Sequence, residues 1–164
     1  MRTFALFAAF CLSAGATYAA KLVEVREPAR IPDAFSSKAP LRAINVWATW
    51  CVPCVEEISD LGAISDMFGA DLSMIGVSLD DLIPADRAET KRKVESFLDA
   101  KKITYSNVYY SGKSDALADS LRFSGEIPIT IIYDRHGHEL WRHEGQIDRQ
   151  KTIAEIRKLL RRNR

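Results

Sequence analysis

The chain is short of cysteine, of charge of one sign and of long apolar runs, and each shortage removes a class of protein. Its 164 residues carry 23 Lys+Arg against 22 Asp+Glu, a formal net charge of +1, which leaves no bulk excess to hold a polyanion. No nucleic-acid partner is expected. After the N-terminal segment there is no apolar run long enough to cross a bilayer. Three cysteines, Cys11, Cys51 and Cys54, are too few for a disulfide-stapled framework, and a chain of this length buries a core without staples. The cysteines are therefore read as chemistry. No internal repeat or low-complexity segment argues for a solenoid, and a single globular domain, expected to be a monomer, is the default.

What the sequence does have begins at its N-terminus. Residues 1–19 carry one charge at Arg2, an apolar stretch from Phe4 to Leu12, and small residues leading to Thr17-Tyr18-Ala19, which is the build of a secretory signal peptide. Cleavage is expected after Ala19. The rival, an uncleaved anchor, is weakened by the shortness of the stretch, by Ser13 and Gly15 within it, and by the lack of a strong basic flank beyond it. Cys11 leaves with such a signal, and Phe10 before it is bulky where a lipoprotein signal has a small residue. The exported chain would reside in the periplasm or on the extracytoplasmic face of a bacterial membrane.

Residues 20–40, with Pro28, Pro32 and Pro40, read as a lead-in segment holding at most a short edge strand at Leu22 to Val25. The domain proper is expected over 41–164. Leu41 to Ala48 predicts a strand buried on both faces, and Pro53 suits the first turn of a helix whose apolar positions are Val55, Ile58, Leu61, Ile64 and Phe68, ending at Gly69. A second buried strand spans Leu72 to Leu79, Asp80-Asp81 and Pro84 mark the next loop, and a polar helix follows over about 86–101. Tyr105 to Tyr110 alternates like a strand. Ser114 is expected to cap a short helix broken at Ser124-Gly125, Asp134 to Gly137 to turn a β-hairpin, and Thr152 with Glu155 to form a capping box for the last helix. The order is β-α-β-α-β-α-β-β-α, an α/β layout with a central mixed β-sheet flanked by helices.

The strongest signal is Trp50-Cys51-Val52-Pro53-Cys54, at the junction of a buried strand and a helix. Two intervening residues in a helical first turn let the sulfurs reach bonding distance. A helix N-terminus favours thiolate over thiol at Cys51 through its free N–H groups and macrodipole, so Cys51 is expected to be the exposed nucleophile. Cys54, one turn further in, would resolve the mixed disulfide. A structural disulfide closing so short a loop constrains the unfolded chain very little. A metal site would want a second ligand pair at recognisable spacing, and His136, His138 and His143 read instead as surface residues of the hairpin. Glu57 lies three residues after Cys54 on the same helix face, where a buried carboxylate can move protons on and off Cys54.

The run from Asn45 to Cys54, Asn-Val-Trp-Ala-Thr-Trp-Cys-Val-Pro-Cys, and the later Gly125-Glu126-Ile127-Pro128-Ile129-Thr130, resemble the active-site stretch and cis-proline loop of the TlpA/ResA-like thioredoxin-fold thiol-disulfide oxidoreductases. The resemblance implies a thioredoxin-like fold, an acid at the position of Glu57, and a cis Pro128 facing the disulfide. It further implies that Ile127 offers backbone groups to an extended substrate and that Trp50, Val52 and Pro53 border it. The activity implied is reduction of disulfides in exported client proteins, without a bound cofactor, with electrons from a membrane thiol reductant and cytochrome c biogenesis or copper-site assembly as client pathways. A disulfide-forming oxidase and a Cu(I) carrier using the cysteine pair as soft ligands are the alternatives. The sequence departs from the family in its short, proline-punctuated segment 20–40.

Overall fold

The computed structural model describes residues 22–35 and 38–163, so the expected signal segment 1–19 lies outside the described residues. Strand β1 (Leu22–Val25) is followed by a 3-10 helix over Pro28–Ala34, then β2 (Leu41–Trp47), α1 (Val52–Phe68), β3 (Leu72–Ser78), α2 (Arg87–Ala100) and β4 (Ser106–Tyr110). Helix α3 (Ser114–Leu121), the hairpin β5 (Ile129–Asp134) and β6 (Glu139–Glu144), and α4 (Arg149–Arg162) complete it. The sheet order is β1-β4-β3-β2-β5-β6, with β1, β4, β3 and β2 mutually parallel and β5 antiparallel to both of its neighbours, β2 and β6. The edge strand at Leu22–Val25 is present, paired to β4 in register Leu22↔Asn107. Among the described residues no helix is long and apolar enough to cross a membrane.

Alternation along β2 divides its side chains between two layers. Asn45 reaches Glu57 of α1, and the Trp47 ring meets that of Phe97 of α2 at a tilt of 32° with centroids 5.4 Å apart, so both helices cover this face. Arg42 points to the other face, its guanidinium 5.7 Å from the ring centre of Phe35. Because both faces are covered, β2 and β3 are buried almost throughout, which is why their sequences are apolar at positions facing either side rather than strictly alternating. Gly76 stands in register between Asn45 and Asn107, and a β-carbon there would lie 2.1 Å from Asn107 Oδ1 and 2.9 Å from Trp47 Nε1. A glycine is what lets these polar side chains close over β3.

Three expected helix ends differ. Ser114 does not cap α3: it is the first helical residue, Lys113 holds the cap position without a side-chain bond, and the Ser114 hydroxyl faces Asp115 Oδ1 at 3.5 Å. The same helix stops before Ser124-Gly125, at Arg122 with φ 52°, because the Arg142 guanidinium takes the terminal carbonyls of Leu121 at 2.8 Å and Arg122 at 2.9 Å. Helix α4 starts at Asp148, which accepts the Lys151 N–H at 2.9 Å, instead of at a Thr152–Glu155 box. Thr152 is buried inside the helix, and Glu155 pairs with Lys158 at 3.2 Å.

Candidate active site

The carboxyl end of β2 delivers Ala48, Thr49 and Trp50 to the start of α1. The Cys51 N–H turns back to the Ala48 carbonyl at 3.2 Å, and Cys51 becomes the N-cap of α1, with the Cys54 N–H donating to its Sγ at 3.3 Å. Val52 and Pro53 fill the first turn, where a proline costs no hydrogen bond. Cys51 and Cys54 are joined in a disulfide, with Cα atoms 5.3 Å apart. A backbone N–H aimed at Sγ is the arrangement that stabilises a thiolate once the bond is opened.

One expectation needs correction: Cys51 is not freely exposed. It is 7% exposed and Cys54 is 0% exposed, while Trp50 at 46% and Val52 at 68% carry the open surface beside them. The N-cap position tucks the Cys51 side chain under the helix start, so an attacking or leaving sulfur meets it through a narrow opening. Across that opening lies the loop before β5. The Ile127-Pro128 peptide is cis, the Ile127 carbonyl lies 3.7 Å from Cys51 Sγ, and the Pro128 carbonyl is already taken by the Gly145 N–H at 2.8 Å.

Glu57, one turn beyond Cys54, is 1% exposed. Its Oε1 accepts from Asn45 Nδ2 at 2.9 Å and its Oε2 from the Ile147 N–H at 2.8 Å. Burial raises its pKa from 4.5 to about 7, against the lowering effect of those two hydrogen bonds, with the charge of Asp60 adding to the rise. Such a group exchanges a proton near neutrality, the range in which thiol chemistry runs. Asn45 also donates to Thr130 Oγ1 at 3.1 Å, and its Oδ1 is buried without a partner. Rotating the amide would present that oxygen to a protonated Glu57, which needs an acceptor where both of its present partners donate.

The histidines sit apart from this site. His138 Nδ1 is 2.9 Å from Asp134 Oδ2 and His143 Nε2 is 3.0 Å from the Gln146 carbonyl, both on the hairpin side of the molecule. Among the described residues no group of three or more His, Cys, Asp or Glu side chains is placed to hold a metal ion. Sequence reasoning missed the supports of the site: Asn45, the Ile147 N–H, and Asp80 with Thr49. Asn45 had a signal, being an amide among the apolar residues Ala43, Ile44, Val46 and Trp47; the contact between Ile147 and Glu57 spans 90 residues and had none.

No family model matches the chain. The fold is similar to that of a DsbF homologue from Corynebacterium diphtheriae, at 23% identity and a TM-score of 0.62 over 74% of this chain and 73% of that one. It is likewise similar to a thioredoxin-related protein from Neisseria meningitidis serogroup B, at 22% identity and a TM-score of 0.60 over 74% and 86%, and to StoA from Bacillus subtilis, at 18% and 0.57 over 71% and 82%. The β2-α1-β3 unit, the antiparallel β5-β6 hairpin and the cis peptide facing the disulfide are thus parts of a thioredoxin-like fold, in which the Cys51–Cys54 pair fits a CxxC redox site.

Proposed function

We propose that the protein is an exported thiol-disulfide oxidoreductase of the TlpA/ResA-like kind that reduces disulfides in extracytoplasmic client proteins. The observation that carries this reading is the combination of a Cys51–Cys54 disulfide at a helix N-terminus with a buried carboxylate, Glu57, whose pKa is about 7, one turn below it. In the reduced protein Cys51 gives its proton to water and its thiolate attacks one sulfur of the client disulfide, forming a mixed disulfide and expelling the other client sulfur as a thiolate, which takes a proton from water. Glu57 takes the proton of Cys54, whose thiolate attacks Cys51 Sγ and closes the Cys51–Cys54 bond, and the departing client sulfur receives that proton and leaves as the second client thiol. Two electrons and two protons pass to the client. No bound cofactor enters. A membrane thiol reductant restores the dithiol, since an oxidising compartment has no soluble thioredoxin supply.

The client backbone is met by Ile127 and Pro128 on one side of Cys51, with Trp50, Val52 and Pro53 supplying apolar surface on the other. The N-terminal residues 1–19 carry the export part of this reading, which places the protein in the periplasm or on the outer face of the membrane. The transfer itself is tested by mixing reduced protein with a disulfide-bonded model substrate such as insulin, without other thiols. The expected result is one substrate disulfide opened for each Cys51–Cys54 bond formed; a substrate left intact while the dithiol persists would contradict the reading.

A further inference from the structure

A second buried carboxylate adjoins the redox loop and has no task in the exchange described above. Asp80 opens the 3-10 turn after β3 and is 2% exposed. The ladder between β2 and β3 ends at the pair Trp47↔Ser78, and one more bond, from the Leu79 N–H to the Trp47 carbonyl at 2.9 Å, prolongs it. The next donor, the Thr49 N–H, goes to a side chain instead: both Asp80 carboxylate oxygens lie 3.2 Å from it. The Thr49 hydroxyl also donates to Asp80 Oδ1, and the Ser78 hydroxyl donates to Oδ2 at 2.7 Å. A carboxylate that only accepts, from three donor groups, is the pattern of the ionised form.

All three donors are neutral. Among the described residues no cation pairs with Asp80, whereas its neighbour Asp81 is matched by Arg87 at 2.7 Å and receives the Tyr109 hydroxyl at 3.1 Å. Next to Cys51 and Pro128 along the chain the titratable side chains are also acidic. Helix α1 brings exposed Glu56 and buried Glu57, and the loop before β5 brings exposed Glu126. The influence favouring a thiolate is the helix N-terminus, through the Cys54 N–H at Sγ. A negative charge held out of water against Thr49, which stands two residues before Cys51, opposes it, and burial weakens the screening that would hide that charge.

We propose that Asp80 is a positioning residue of the redox pair: it fixes the turn from Thr49 to Cys51 and, as a buried charge without a cation, disfavours the Cys51 thiolate. A couple whose thiolate is less stabilised lies further toward the disulfide, which makes the dithiol the stronger reductant. The inference rests on Cys51 and Cys54 being an exchanging pair, and it adds a structural cause for the direction of electron flow.

The test is to titrate the Cys51 thiolate by its ultraviolet absorbance, and to equilibrate with glutathione, in the wild type, Asp80→Asn and Thr49→Val. Asp80→Asn keeps an acceptor for the Thr49 N–H and removes the charge. It is expected to form the thiolate about one pH unit lower, roughly tenfold more at a given pH, and to shift the glutathione equilibrium about tenfold toward the dithiol. Thr49→Val keeps the charge and removes a donor that offsets it, so both readings move the opposite way. An unmoved titration in folded Asp80→Asn, or a shift of the same sign in both variants, overturns the proposal: in the first case the charge does not reach the sulfur, in the second a loosened turn is what the sulfur feels. Should Asp80→Asn fail to fold, Thr49→Val decides alone, and a titration that stays or falls contradicts the assignment. A wild type with no reversible couple would instead sink the redox reading, and the proposal with it.

Discussion

Cys51→Ser is expected to bring disulfide reduction down to the uncatalysed background, because the residue sits at the only reactive position of the pair that the fold leaves any opening to. Cys54 is fully buried beneath the helix start, so it cannot begin the exchange in place of Cys51. A serine hydroxyl at the N-cap would preserve the hydrogen bond from the Cys54 N–H and the start of α1, so the loss reports on chemistry and not on folding. The contrasting variant is Cys54→Ser. It keeps the attacking thiolate but has nothing to resolve with, so it should stop after one event with the substrate held as a mixed disulfide through Cys51. Non-reducing electrophoresis after reaction with insulin separates the two: no adduct for Cys51→Ser, a one-to-one adduct for Cys54→Ser. Equal activity in Cys51→Ser and the wild type would remove Cys51 from the mechanism.

Glu57→Gln should lower the resolving rate by about a hundredfold and, more tellingly, change its dependence on pH. With a pKa of about 7, the carboxylate is ionised and able to take the Cys54 proton above neutrality and is protonated below it. The wild-type rate therefore rises with pH through about 7 and levels off above, while the glutamine variant shows no inflection there. Stability carries the matching signature. A carboxyl whose folded pKa lies above its unfolded value of 4.5 favours the fold fully below that value, and loses this contribution as pH rises through about 7. The change is about 3 kcal/mol between pH 4 and pH 8, an order-of-magnitude figure from the size of the shift. Denaturant unfolding of the oxidised protein should show that fall in the wild type and not in Glu57→Gln. A variant that keeps the inflection near neutral pH would assign it to another group.

The parts of this structure that were legible in the sequence are those set by local pattern. The predominantly apolar segments Leu41–Trp47 and Leu72–Ser78 revealed central strands because both faces of the sheet are covered. The cysteine spacing and Pro53 marked the start of α1, and the spacing of Glu57 placed it one turn below Cys54. Helix ends were less legible where distant groups compete for them. Arg142, twenty residues along the chain, ends α3 at Arg122, and no local signal near Ser114–Leu121 announces it. Thr152 looked like a cap because its hydroxyl type suits one, yet Asp148 suits one better and frees Thr152 to be buried with Ile153. The exposure expected of Cys51 failed for a geometric reason: a residue at the N-cap points its side chain back over the first turn, where the Cys54 N–H holds it. Asp80 looked like one of two loop acids; its role depends on meeting Thr49 across 31 residues.

The reduction potential of the Cys51–Cys54 couple, by equilibration with glutathione or dithiothreitol and followed by thiol content, bears most directly on the central claim. Fluorescence of the adjacent Trp50 provides a second signal. A disulfide reductase should give a value near that of thioredoxin, about −270 mV, and its dithiol should then be the electron donor to exported clients. A value near that of DsbA, about −120 mV, would contradict the direction proposed here and make the protein a disulfide-forming oxidase.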